Sequence, residues 1–231
     1  MAATESIKTA VARAIQFLSD SSEPQALLWL ELIHRHFGIA QFADSLKYFD
    51  QLLADNPDEA PKLRVLRRIA DRTNALRQDD LDSITMLSDE IIISALYCDQ
   101  LELPLSFPEV LAKAVRSGGY YCTHALLAWI WVQEYGGRFA APSGFVDELF
   151  AANTAIVNEE TNSVTDLKLE AAAFLYLAGQ GARVDAAFIN SVLGTQNADG
   201  GWGKTREEPG RSAWHGTVLG LLLLLHVQAV L

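Results

Sequence analysis

Asp89 and Glu90, Cys122, Thr123 and His124, Asp166 and Glu170, and Trp214 and His215 all interrupt runs of sequence that are otherwise apolar. An ionisable group that folding removes from water has its pKa moved, and a carboxyl beside an imidazole can then act as a general acid or base near neutrality. On that chemistry Asp89, Glu90, His124, Glu170 and His215 are the candidate catalytic residues. Tyr120, Tyr121 and Trp214 would supply aromatic walls for an apolar substrate. Arg211, in a loop that also holds Lys204 and Arg206, could meet a phosphate or carboxylate, with a solvated loop as the plainer alternative. A mixed Cys, His and Asp set also suits Zn²⁺, which takes three protein ligands and an open position in catalytic sites. Asp89, Cys122, His124 and His215 are the candidate ligands for it. Cys122 and His124 are two apart and diverge on a regular helix, so the competing expectation makes Cys122 a core thiol and the histidines internal hydrogen-bonding groups. The sequence contains no glycine-rich phosphate loop, Gly-x-Ser-x-Gly elbow or Cys-x-x-Cys pair.

The groups that carry this chemistry must be positioned by helices, and the helices are of two kinds. One kind is apolar on a single face: 5–18, 42–53, 62–75, 107–116, 145–157 and 185–193. The other is apolar nearly all round and begins near residues 25, 84, 124, 166 and 212, so each such helix needs neighbours on every side. Alternation of the two predicts an inner and an outer layer. No alternating strand pattern of useful length occurs. The loop at 136–144 is the best candidate for a break, and the chain reads as a single domain over 1–231. Stacked HEAT or armadillo repeats have a similar period, but helices without a solvated face favour a closed arrangement.

Residues 196–203 read Gln-Asn-Ala-Asp-Gly-Gly-Trp-Gly. Paired glycines free the backbone, Gln and Asn can bond helix ends, and Trp is a large wedge with one donor. The segment resembles the QW-type repeat of terpenoid cyclases and protein prenyltransferase β-subunits. The resemblance implies an all-α fold, an α/α toroid, partial or closed, of about five helical hairpins. It also implies an isoprenoid-like or cyclic substrate, and inner helices whose N-termini share one mouth, where the polar residues above would meet. The families' catalytic motifs are not matched. Asp79-Asp80-Leu81-Asp82 has the wrong order for the proton-donating Asp-x-Asp-Asp of triterpene cyclases and reads as helix-capping acids. No Asp-Asp-x-x-Asp is present, and Asp89 and Cys122 lie on different helices, unlike the zinc ligands of prenyltransferases. Ala213-Trp214-His215-Gly216 matches the Trp-Cys-His-Gly of the lanthionine cyclases only in part.

At 231 residues the chain can bury roughly 70% of its unfolded surface. A net charge of −11 speaks against nucleic acid and against anionic membranes. The apolar stretch 218–231 is shorter than the ~20 residues of a membrane span, so no membrane insertion is expected. Two cysteines and an N-terminus without a signal-peptide pattern suggest a cytoplasmic setting. Arg64, Arg67, Arg68, Arg72 and Arg77 form a basic cluster that either pairs with nearby acids or offers a face to a protein partner. The expected function is an enzyme or binder of a small molecule at the ring mouth, with acid–base or metal-assisted chemistry. The alternative is a non-catalytic interaction module with a filled ring.

Overall fold

The computed structural model describes residues 2–58, 60–77, 80, 87–159, 163–203 and 211–230, and over these the chain is all-α. The helices in chain order are α1 (Ala2–Leu18), α2 (Pro24–Phe37), α3 (Ser45–Asp55), α4 (Ala60–Leu66), α5 (Leu87–Leu96) and α6 (Phe107–Ser117). They are followed by α7 (Gly119–Glu134), α8 (Phe145–Asn158), α9 (Asp166–Leu177), α10 (Ala186–Gly194) and α11 (Trp214–Val230). Among the described residues extended pairing is limited to one isolated bridge, Trp202 to Ala213.

The two kinds of helix occupy two kinds of place. α7 packs against α5 and α9, α9 against α11, and α11 against α2, so the helices apolar all round are neighbours of one another. α1 lies on α11, α3 and α4 on α2, α6 on α7, and α8 on α7 and α9. Large aromatic side chains pack between them within a mainly aliphatic core. Trp29 of α2 lies 5.9 Å from Phe174 of α9 and 6.4 Å from Trp131 of α7, ring centre to ring centre. Burying groups of this size contributes several kcal/mol to stability. Trp29, Trp131 and Trp202 are buried, whereas Trp129 is half-buried and lies edge-on against Phe150 of α8.

The arginine-rich helix is shorter than its periodicity suggests, ending at Leu66 before a 3₁₀ turn, Arg67–Ile69. The cause is Arg68, which turns inward to 2% exposure. Its guanidinium lies over the Tyr97 and Tyr135 rings and donates to the Asn74 carbonyl (2.8 Å) and Asp99 (2.6 Å). Asp71 then accepts from the Thr73 N–H at 2.9 Å, completing the reversal. The other arginines of the cluster are also engaged: Arg64 with Asp80, Arg67 with Asp50 and Asp71, and Arg72 with Glu134. Four arginines of the cluster are thus paired with acids of the same chain, the first of its two expected readings. Arg77 is exposed.

Candidate active site

Three helix starts build the site. Gly118, at φ +69°, ends α6 and launches α7 with no linker between them, a backbone turn that suits glycine. Tyr120, Thr123 and His124 then fall at i, i+3 and i+4, on one face of α7. At α9 the Thr165 side chain caps the helix by accepting from the Lys168 N–H (3.3 Å). Asp166 and Glu170, four apart, share the face that turns inward; each is 1% exposed.

α11 is started by the glycine-rich segment. Trp202 is 2% exposed, donates from its indole to the Val192 carbonyl (2.9 Å), and accepts from the Ala213 N–H (2.9 Å). Its own N–H donates to Thr217 Oγ1 at 3.0 Å. Gln196 donates to the Ala10 and Gly200 carbonyls, both at 2.8 Å, and Asn197 donates to Ser212 Oγ at 3.0 Å. These bonds tie α1, α10 and the first turn of α11 together. Gly200, at φ +95°, lies so close to α1 that a Cβ there would sit 2.4 Å from the Arg13 carbonyl oxygen. The segment thus fixes where Trp214 and His215 emerge.

His215 is clamped between the two buried carboxyls. Its Nδ1 lies 3.0 and 2.9 Å from the oxygens of Asp166, and its Nε2 lies 3.6 Å from Glu170 Oε2. A carboxylate only accepts, so Nδ1 carries a proton toward Asp166. Tyr120 donates its hydroxyl to Asp166 Oδ2 at 3.0 Å. The other oxygen of Glu170, Oε1, faces His124 Nε2 at 3.8 Å and is bonded to the Thr123 hydroxyl. The two imidazoles, 31% and 32% exposed, form the outer layer over carboxyls that solvent hardly reaches. Trp214 stands edge-on to His215 at 5.2 Å, and Tyr120 is tilted to His124 at 6.4 Å.

Burial dominates the electrostatics. It pushes Glu170 up to about 7, against a smaller opposing pull from the Thr123 hydrogen bond and the His215 charge. Thr123 has one hydroxyl proton and two neighbours to satisfy, Glu170 Oε1 and the Tyr120 carbonyl at 3.0 Å. Protonated Glu170 resolves the conflict, because its O–H can donate to Thr123 while Thr123 donates to the carbonyl. Burial, then the His215 charge, lowers the pKa of His124 and keeps it neutral. The Tyr120 hydroxyl is pushed up, by burial first and then by the Asp166 charge.

Of the catalytic candidates, His124, Glu170 and His215 converge; the side chains of Asp89 and Glu90 lie outside the described residues. Tyr120 and Trp214 flank the cluster. The step of about 100° per residue along a helix carries Tyr121 to the exposed side, and Arg211 is exposed too. Lys204 and Arg206 lie outside the described residues, as do Asp79, Leu81 and Asp82. Cys122 does not join His124 and His215 as a ligand. Its thiol is buried against α8, where Asn153 Nδ2 donates to it at 3.3 Å, and burial pushes it up to about 11, away from the thiolate a metal needs. Among the described residues no group of three or more His, Cys, Asp or Glu side chains is arranged to hold a metal ion. Asp166 and Thr123 acquire roles that sequence reasoning left unassigned, although Asp166 is four residues from Glu170 and Thr123 three from Tyr120.

Toward the C-terminal ends of α2, α7 and α9 a hollow of about 360 Å³ is lined by His36, Trp129, Ile130, Glu134 and Leu177. No described helix is long and apolar enough to cross a membrane. Compared with known proteins, the chain matches no family model, no curated protein and no solved structure.

Proposed function

We propose that this chain is a small-molecule enzyme or binder, a partial α/α toroid of the terpenoid cyclase-like kind, with an acid–base site at the mouth where α7, α9 and α11 begin. The observation that carries the reading is His215 held between Asp166 and Glu170, two carboxyls that are each 1% exposed. Leaving such groups in a core is costly, and a well-packed apolar pair would hold three helices together with less penalty. Perturbed, coupled groups beside solvent-reachable imidazoles are a common mark of functional sites. The sequence of packed inner helices supports the toroid, and the resemblance of residues 196–203 agrees with it. The aromatic filling by Trp29, Trp131 and Phe174 supports a shallow mouth site over a deep lumen, for an apolar or cyclic substrate resting against Trp214 and Tyr120.

A thermal-shift screen of small apolar and cyclic compounds tests the proposal, run in parallel on the wild type and His215→Asn. A ligand at 100 times its Kd stabilises the folded state by about 2.7 kcal/mol, a readily measured shift. Compounds that stabilise the wild type and lose their effect in His215→Asn are expected. A screen in which every stabilising compound acts equally on both proteins would remove the site.

A further inference from the structure

We propose that the hollow at the C-terminal ends of α2, α7 and α9 is a second binding site, one for a small organic cation: an ammonium group carried on an aromatic or apolar body. It is independent of the acid–base site, which stands where α7, α9 and α11 begin. The length of α7 alone puts about 21 Å of helix axis between Tyr120 and Glu134, at about 1.5 Å per residue.

Trp129 and Gln133 are four apart on α7, as are Ile130 and Glu134, so the four share one face of the helix at its last turn. With His36 of α2 and Leu177 of α9 they line the hollow, whose volume of about 360 Å³ lies within the roughly 300–1,000 Å³ of small-molecule sites. Trp129, Ile130 and Leu177 supply apolar surface, and His36, Gln133 and Glu134 supply polar groups. Trp129 is half-buried and its ring stands T-shaped to Phe150 of α8 at 5.3 Å, which steadies the indole. An aromatic ring held in this way attracts a cation through its quadrupole.

Charge decides the class of ligand. Three helices bring their carbonyl ends to the hollow, each equivalent to roughly half an elementary negative charge. Burial, then Arg35 and Arg72 nearby, lowers the pKa of His36 and favours the neutral ring, which leaves Glu134 as the formal charge among the described lining residues. The two arginines have acids of their own. Arg35 pairs with Glu31 at 3.8 Å, and Arg72, 54% exposed and not part of the lining, reaches Glu134 through Oε1. An ionised carboxylate accepts about four hydrogen bonds, so Glu134 has capacity for a further donor. An ammonium group donates to Glu134 and rests against Trp129. An anion would meet Glu134 and three carbonyl ends.

Calorimetric titration at neutral pH with 2-phenylethylammonium, 2-phenylethanol and phenylacetate tests the site, because the three probes share one apolar body and differ in charge. The ammonium is expected to bind about tenfold or more tighter than the alcohol, and phenylacetate most weakly. Gln133 is exposed, so Gln133→Lys adds a cation to the hollow without entering the core. That variant and Glu134→Gln are each expected to weaken the ammonium about tenfold and to leave the alcohol unchanged, while His215→Asn leaves all three probes unchanged. No measurable ammonium binding, equal affinity for the three probes, or an ammonium affinity that survives both hollow variants would overturn the site. Ammonium binding that is lost in His215→Asn and kept in Gln133→Lys would overturn it too, by moving the cation to the acid–base site, whose own reading would then stand.

Discussion

Glu170 is the carboxyl that the site moves to near neutrality, and the cause is local. The carboxyl is 1% exposed, has Thr123 and His124 of α7 on one oxygen and His215 of α11 on the other, and shares its helix face with Asp166. Burial outweighs the favourable contacts, so the group titrates at about 7 rather than near 4.5. Infrared spectra with Glu170→Gln as the reference isolate the carboxylic-acid C=O stretch of this one residue. That band is expected to persist well above the ordinary carboxylate range and to fade through about pH 7. Its loss near 4.5 would show a solvated carboxylate. Much of this was readable beforehand: Glu170, His124 and His215 are polar groups on helices with no other polar face, and such groups need partners. The role of Asp166 was harder to read because an acid in a first helical turn has a routine explanation as a partner for the helix dipole. Cys122 misled for a related reason: the identity of a residue is visible in sequence, but the 200° that separates i from i+2 decides which neighbour it meets.

At the scale of elements, the segment 196–203 is a joint between α1, α10 and α11, and a glycine of α11 makes room for its Trp202 ring. A Cβ on Gly220, one helical turn beyond Thr217, would lie 2.8 Å from the Trp202 ring. Gly220→Ala is therefore expected to cost about 1–3 kcal/mol by overpacking, and Trp202→Ala about 3–5 kcal/mol by leaving a cavity and removing the indole's hydrogen bond to the Val192 carbonyl. Denaturant unfolding measures both, and values below about 0.5 kcal/mol would mean that the joint is not structural. The two classes of helix were legible because the period of apolar residues reports burial directly. The end of α4 was not, because Arg68 looks like a surface residue until Tyr97, Tyr135 and Asp99 arrive from distant sequence to surround it. Stacking between rings and hydrogen bonds at the tip let an arginine enter a core, and no local pattern announces that.

For the molecule as a whole, the site and the stability of the fold are linked through protons. Folding takes Glu170 from about 4.5 to about 7, so between those values the folded state binds the proton more tightly than the unfolded state. The contribution of this group is then fully present below about 4.5 and is lost as pH rises through about 7. The span corresponds to on the order of 3 kcal/mol at 1.36 kcal/mol per pKa unit. His124, whose pKa is lowered, acts in the opposite direction below its unfolded value of 6.5, as a neutral ring that must remain uncharged. His124 is common to wild type and Glu170→Gln, so to first order it cancels in their difference, as do Tyr120, Asp166 and His215. Glutamine keeps the shape and cannot ionise. The most direct test is therefore the free energy of urea unfolding of wild type and Glu170→Gln, measured side by side from pH 4.5 to 8. If an acid with a pKa near neutrality is built into the site, the difference shifts in favour of glutamine by a few kcal/mol across that range. Two profiles that stay parallel from end to end would contradict it.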